Sequence, residues 1–235
     1  MNTYLHNTVI LPNLLDNIIF NELGALYNPD YLKFRYNLKH TRDDVLVYLG
    51  TYFPRSFAEA YLIMHILFAL DKFRLAFDSR DEISILDLGC GTGGEIFGTM
   101  CAISEILCAD KTFNIVAIDG NQNAMRIFED VLSRFKNKTD LVVNVNTGSI
   151  SIEDKEDMDL LGDIVKGGFD FVLSFKAVNE FIQYKRFADN AYKHFSEILA
   201  PKLSDKGLLI LLDVATRDAV SNVYYPVIMN KGFIL

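Results

Sequence analysis

The run Asp87-Leu88-Gly89-Cys90-Gly91-Thr92-Gly93-Gly94-Glu95 is the part of this chain best equipped for ligand chemistry. Glycines at 89 and 91 lack a Cβ, so they take positive φ and let a ligand touch the main chain. The helix expected after them offers unpaired N–H groups and a positive dipole end to anionic or carboxylate parts of a ligand. Asp87 ends the preceding strand two residues before the first glycine, where its carboxylate can organise the turn or take a ligand's ammonium or hydroxyl. A second acid, Asp119, ends the next strand 25 residues after Gly94, and a carboxylate there can accept both hydroxyls of a ribose. Taken alone, Gly89-x-Gly91-x-x-Gly94 also fits a dinucleotide fingerprint. The positions of Asp87 and Asp119 weigh against that nicotinamide reading. Further along, Ser174-Phe175-Lys176-Ala177-Val178-Asn179-Glu180 leaves a fourth strand. Asn179 and Glu180 either face a substrate there or cap the following helix, and Lys176 is a substrate candidate or a solvated loop residue.

Elements of a particular kind must position these groups. From Ile83 onward, short β-rich runs (83–88, 113–118, 141–145, 169–175 and 208–214) alternate with helix-length segments at 95–108, 122–135, 153–165 and 179–203. The runs are nearly continuous in apolar residues, as strands buried on both faces of a parallel sheet must be. Such alternation means a doubly wound α/β layer. Residues 1–80 read instead as a helical cap, with apolar positions at helical spacing over 14–20 and 57–77. Ser56 with Glu59 three residues on is a capping-box signal for the second of these helices. The chain therefore divides into a cap at 1–80 and a sheet-bearing unit at 81–235. Only 215–235 follow the fifth strand, enough for one helix and the start of a sixth strand. The expectation is that the C-terminal strands of a full sheet are missing or shortened, either because the sequence ends early or because the fold is trimmed, and an exposed edge would invite a second copy or a partner subunit.

Across roughly 83–214 the chain resembles class I S-adenosylmethionine-dependent methyltransferases, with Asp87-Leu-Gly-Cys-Gly-Thr-Gly close to their first motif. The resemblance implies a Rossmann-like, mostly parallel methyltransferase sheet and S-adenosyl-L-methionine as cofactor. It implies that Asp87, Gly89, Cys90 and Gly91 hold the cofactor's amino-acid end, that Asp119 with Gly120 and Asn121 holds the ribose, and that Gly148, Ser149 and Ile150 flank the adenine. Ser149 stands where the family commonly has an acid, so adenine recognition leans on backbone and apolar contacts. Ser174 and Phe175 match the strand end that faces the transferable methyl. The exit lacks the Asn/Asp-Pro-Pro-Tyr/Phe pattern of exocyclic-amine base methylation, and no cysteine nucleophile follows it. Thr51-Tyr52-Phe53-Pro54-Arg55 is similar, over a few residues, to a stretch of chemotaxis-receptor methyltransferases and to one of the mitochondrial-type ribosomal small-subunit family. Either similarity implies that Arg55, with Thr51, reaches the cofactor carboxylate and that Glu95 lies near its ammonium. Tyr52 is a substrate candidate or a core aromatic.

The 235 residues are 50% hydrophobic, with a net charge of −8, which excludes disorder and argues against sequence-blind duplex binding. A small molecule or protein side chain is favoured as substrate. RNA stays open through the basic, aromatic-bearing run 33–42, and so does a non-catalytic binding subunit. The acidic run 153–159 reads as a solvated helix start. Cys90, Cys101 and Cys108 form no disulfide framework and show no zinc spacing, so no metal site is expected. The first six residues lack a signal peptide's basic and apolar regions, and the most apolar run (60–70) falls short of the roughly 20 residues of a membrane span. A cytoplasmic protein is the default expectation.

Overall fold

A computed structural model describes residues 9–29, 38–108, 110–183, 190–218 and 221–233. The reading of residues 1–6, and the basic run up to residue 37, fall outside them. The helices are α1 (Asn13–Asp16, continued by a π-helical turn over Asn17–Glu22), α2 (Arg42–Phe68), α3 (Asp71–Asp78), α4 (Gly94–Leu107), α5 (Gln122–Lys136), α6 (Lys155–Ile164), α7 (Val178–Gln183), α8 (Ala191–Leu199) and α9 (Tyr225–Phe233). The strands are β1 (Glu82–Leu88), β2 (Thr112–Asp119), β3 (Val142–Ser149), β4 (Phe169–Phe175) and β5 (Leu203–Leu212). They form one parallel sheet in the order β3-β2-β1-β4-β5. Central strands β1 and β4 bury both faces. Ile83, Ile85, Phe171 and Leu173 enter one apolar core with α2, α4 and α5, whereas Leu86, Leu88 and Val172 enter the other with α6 and α8. The winding reverses between β1 and β4, and a crevice opens beyond the carboxyl ends of those strands, where doubly wound sheets bind ligands.

The cap departs from the sequence reading. α2 begins at Arg42 and is capped by Thr41: the Asp44 amide donates to Thr41 Oγ1 at 3.3 Å and the Thr41 amide to Asp44 Oδ2 at 3.1 Å. The capping box expected at Ser56 and Glu59 is therefore absent, and Ser56 lies buried within the helix. Residues 51–57, expected just ahead of the helix, are inside it. Pro54 does not break α2 because Leu49, Phe53, Phe57, Ala60, Met64 and Phe68 form a buried stripe. Large side chains contribute about 1.5–3 kcal/mol each on burial, which together exceed the ~3 kcal/mol cost of an interior proline. The stripe packs on α4, where a Cβ at Gly94 would stand 2.6 Å from the Phe53 carbonyl oxygen. The third fingerprint glycine thus serves helix packing, and cap and sheet share one apolar core.

Other boundaries shift for local reasons. The stretch 179–203 holds α7 and α8 rather than one helix, and α8 stops at Leu199, followed by a 3-10 turn at Ala200–Lys202 that contains Pro201. β5 starts at Leu203, five residues before its apolar run, because an edge strand tolerates polar Ser204, Asp205 and Lys206. β3 likewise runs on to Ser149 with mostly exposed side chains. No sixth strand occurs among the described residues; the C-terminal part contributes α9 and an isolated antiparallel bridge between Arg217 and Tyr224. Among those residues no helix is long and apolar enough to cross a membrane, and no cluster of His, Cys, Asp or Glu could hold a metal ion.

Candidate functional site

The turn after β1 is held from its neighbour strand. The amides of Gly89 and Cys90 donate to the Ile118 carbonyl at 2.8 and 3.2 Å, and the Gly91 amide donates to Asp119 Oδ2 at 2.8 Å. The other Asp119 oxygen accepts from the Asn121 amide at 2.7 Å. One carboxylate therefore fastens both turns while each oxygen keeps a lone pair. Gly89 and Gly91 sit at φ +76° and +51°, conformations that strain residues with a Cβ. Asn121 caps α5 by accepting from the amides of Asn123 (2.8 Å) and Ala124 (3.1 Å). The side-chain amides of Asn121 and Asn123 donate to the His40 carbonyl at 3.5 and 3.0 Å, tying the start of the cap helix to the sheet.

Three buried carboxylates gather beneath this turn. Asp87 is wholly buried, and neither of its oxygens has a hydrogen-bond partner. Burial pushes its pKa well up, with the nearby Glu95 and Asp119 charges adding to the rise. Glu95 is raised to about 8, mainly by burial, against the lowering effect of a main-chain hydrogen bond and of Lys176. Asp119 is raised by burial and held back by the Asn121 and Gly91 amides. Burial, then the Asp87 charge, pushes the Cys90 thiol up, which makes it a poor nucleophile. An unanswered buried carboxylate is costly to a fold, so its presence points to a ligand that answers it.

Above the acids lies a cleft that brings together Gly89, Asp119, Gly120, Ile150, Phe175, Lys176 and Glu180. Asp87, Cys90, Gly91, Glu95, Asn121 and Ser174 are buried around it, the Ser174 hydroxyl without a partner. Ser149 pairs in register with Asp119 but is exposed. Leu38, Tyr48, Ile118, Ile152 and Ala177 also line the cleft and were not singled out from sequence. Tyr48 was findable: it lies one helical turn before Tyr52, with ring centroids 4.9 Å apart, and the ring is in reach of Gly91. Burial and the charges of Glu95, Glu180 and Asp119 hold the Tyr48 phenol protonated.

Arg55 and Asn179 are not among the residues that line the cleft. Arg55 is exposed, pairs with Glu59 at 3.6 Å within α2, and does not line the cleft. Asn179 braces the β4 exit: its amide donates to Asp213 Oδ2 at 2.9 Å, and its side chain, with nitrogen turned inward, donates to Asp213 Oδ1 (2.9 Å) and to the Lys176 carbonyl (2.7 Å). Asp213, raised to about 6 by burial, also accepts from the Tyr192 hydroxyl at 2.6 Å. Lys176 takes φ +61°, and its Nζ pairs with Glu59 and donates to Ser56 Oγ at 3.4 Å.

No protein-family model matches the chain, and no curated protein does. Solved structures similar to it include an S-adenosylmethionine-dependent methyltransferase from Clostridium acetobutylicum (20% identity, TM-score 0.37, covering 65% of this chain and 49% of that one). The plantazolicin methyltransferase BpumL in complex with SAH is similar at 18% identity and TM-score 0.38, over 92% of this chain and 71% of that one. The CurJ carbon methyltransferase is similar at 12% identity and TM-score 0.47, over 81% and 43%. The chain thus spans about half the length of the first of these.

Proposed function

We propose that this chain is a class I-type S-adenosylmethionine-dependent methyltransferase. The observation that carries the reading is Asp87, buried and unpartnered at the β1/β4 crevice, beneath a positive-φ glycine turn tied to Asp119. A ligand with an ammonium near a ribose answers both carboxylates. A dinucleotide would bring a pyrophosphate against three buried acids, and like charges in so dry a site repel strongly.

When bound, the cofactor supplies an electrophilic methyl group on a sulfonium. Asp87 and Glu95 take the ammonium, Gly89 and Gly91 admit the amino-acid end to the main chain, and the free lone pairs of Asp119 accept the ribose hydroxyls. Cys90, Gly120 and Asn121 keep those turns in place. Leu38, Ile118, Ile150 and Ile152 form apolar walls suited to adenine, with Ser149 at their exposed side. Ser174 and Phe175 end the strand on the methyl side. Tyr48, Lys176 and Glu180 border the acceptor, and the α2 cap excludes water, which leaves positioning and desolvation as the main accelerating effects. The acidic balance of the chain favours a small molecule or protein side chain over RNA. A cytoplasmic setting belongs to the same proposal, supported by three free cysteines.

Isothermal titration with S-adenosylhomocysteine, with NADH as control, tests it. Micromolar binding of the first alone is expected. Binding of NADH alone, or of neither, overturns the reading.

A further inference from the structure

Building on the methyltransferase reading, we propose that Asp213 is a positioning residue for the cofactor, which through Asn179 holds the β4 exit against the Gly89 turn. The exit and the turn touch. A Cβ at Gly89 would stand 2.4 Å from Ala177 Cβ, so Ala177 sits directly on the first glycine of the turn. The residue before it, Lys176, takes φ +61°, a left-handed conformation that a residue with a Cβ keeps only where its surroundings impose it. Here they impose it from both sides. The Lys176 amide donates to the Leu212 carbonyl at 2.6 Å, and the Lys176 carbonyl accepts from the Asn179 side-chain nitrogen at 2.7 Å. Asn179 is fixed in turn by Asp213, to which it donates twice, from its amide to Oδ2 and from its side-chain nitrogen to Oδ1, each at 2.9 Å. The cofactor turn thus rests on a strained peptide whose position is set from the end of β5.

The charge on Asp213 does the holding. Besides the two Asn179 groups, its oxygens accept from the Val214 amide at 2.7 Å and from the Tyr192 hydroxyl at 2.6 Å. An ionised carboxylate accepts from all of these at once, whereas a neutral carboxyl or an amide turns a hydrogen of its own towards donors. The titratable groups that face Asp213 are the Tyr192 phenol on α8 and, through its charge, Lys176 at the β4 exit. Tyr225 of α9 stands close enough to Tyr192 to help raise that phenol, which therefore keeps its proton and remains a donor. Burial pushes Asp213 up to about 6, against the lowering effect of its hydrogen bonds and of Lys176. The brace is complete above that pH and loosens below it.

The test reads S-adenosylhomocysteine affinity by isothermal titration, well below each Tm, in wild type, Asp213→Asn, Asn179→Ala and the double variant. Absence of binding to the wild-type chain overturns the cofactor reading, and this proposal with it. Given wild-type binding, Asp213→Asn should weaken it about fivefold or more at mildly alkaline pH. The double variant should bind no more weakly than the weaker single variant, because both substitutions break one chain of contacts. Additive losses overturn the proposal. A pH series separates positioning from general loosening: the advantage of wild type over Asp213→Asn should vanish as pH falls from about 8 to about 5. Asp87, Glu95 and Asp119 titrate in both proteins and cancel in that ratio, so a ratio constant with pH overturns the proposal. Asn179→Ala should converge on wild type in the same way, which keeps the test decisive even if Asp213→Asn does not fold. Tyr192→Phe takes one donor from Asp213 and leaves the Asn179 link intact, so it should lower Tm while affinity stays within about twofold of wild type. Weakening by Tyr192→Phe equal to that by Asp213→Asn would trace the effect to packing and overturn the proposal.

Discussion

Asp170 and Asp87 occupy adjacent central strands and are 3% and 0% exposed, yet the two ends of the sheet treat them differently. At the amino end, Asp170 accepts from the Arg80 guanidinium, from the Ser84 amide at 3.0 Å and from the Ser204 hydroxyl at 2.8 Å. Beside it the buried Lys111 ammonium donates to the carbonyls of Asp78 (2.9 Å) and Arg80 (2.5 Å). At the carboxyl end Asp87 has no partner on either oxygen, and Glu95 and Asp119 crowd it with like charge. Buried charge that the chain itself answers is architecture. Buried charge left unanswered destabilises the ligand-free fold and is tolerable where a ligand answers it.

If that distinction is right, removing a carboxylate should have opposite consequences at the two ends. Asp170→Ala strands the Arg80 guanidinium and should cost about 3 kcal/mol, lowering Tm by about 6–12 °C in a chain of this size. Well below that Tm, its affinity for S-adenosylhomocysteine should stay within about twofold of wild type. Intact thermal stability combined with lost binding would erase the contrast. Asp87→Asn should do the reverse. It removes a group that must ionise without a partner, so Tm at alkaline pH should hold or rise, while binding weakens about tenfold or more for want of one charge-assisted hydrogen bond. A large fall in Tm would make Asp87 another structural acid.

The same contrast predicts a pH dependence. Burial pushes Glu95 up to about 8 in the folded chain against an ordinary value of 4.5, so the folded state holds its proton more tightly than the unfolded state does. Its contribution to stability is complete below pH 4.5 and is lost as pH rises towards 8. Denaturant midpoints of the ligand-free chain should therefore fall across that window, and Glu95→Gln should flatten the decline. A cationic ligand favours ionised Glu95, so S-adenosylhomocysteine should release protons on binding near neutral pH. Titration in two buffers of different ionisation enthalpy measures this, and heats that do not depend on the buffer would remove Glu95 from the ligand's reach.

What could be read from the sequence follows the range over which each feature is determined. The β1 turn, the two strand-end acids and the parallel sheet were legible because glycines, buried carboxylates and two-faced apolar strands leave local marks. The cap helix was not: Pro54 and Ser56 carry the local signals of a helix start, and a buried stripe running from Leu49 to Phe68 overrides them through contacts with α4. Tyr48 and Leu38 were missed for the same reason, since only packing of the cap brings them to the cleft. Asp213 escaped notice because its role is to brace Asn179, a contact between two strand exits 34 residues apart. β5 was cut short because an edge strand can be polar where a central strand cannot.

Arg55 supplies the smallest expected effect and a sharp one. Sequence similarity to two methyltransferase stretches implies contact with the cofactor carboxylate, while the fold turns the residue outward on α2. Its side chain is 66% exposed and its partner is Glu59, one turn along the same helix. An exposed i,i+4 pair contributes little, and solvent screens it further. Arg55→Ala should therefore change S-adenosylhomocysteine affinity by less than about twofold and leave adenosine binding equal in both proteins. A selective loss of S-adenosylhomocysteine over adenosine would mean that Arg55 swings to the amino-acid end of the cofactor when it binds. The cap helix would then belong to the carboxyl-end machinery, and unanswered charge at that end would be answered partly by the chain itself.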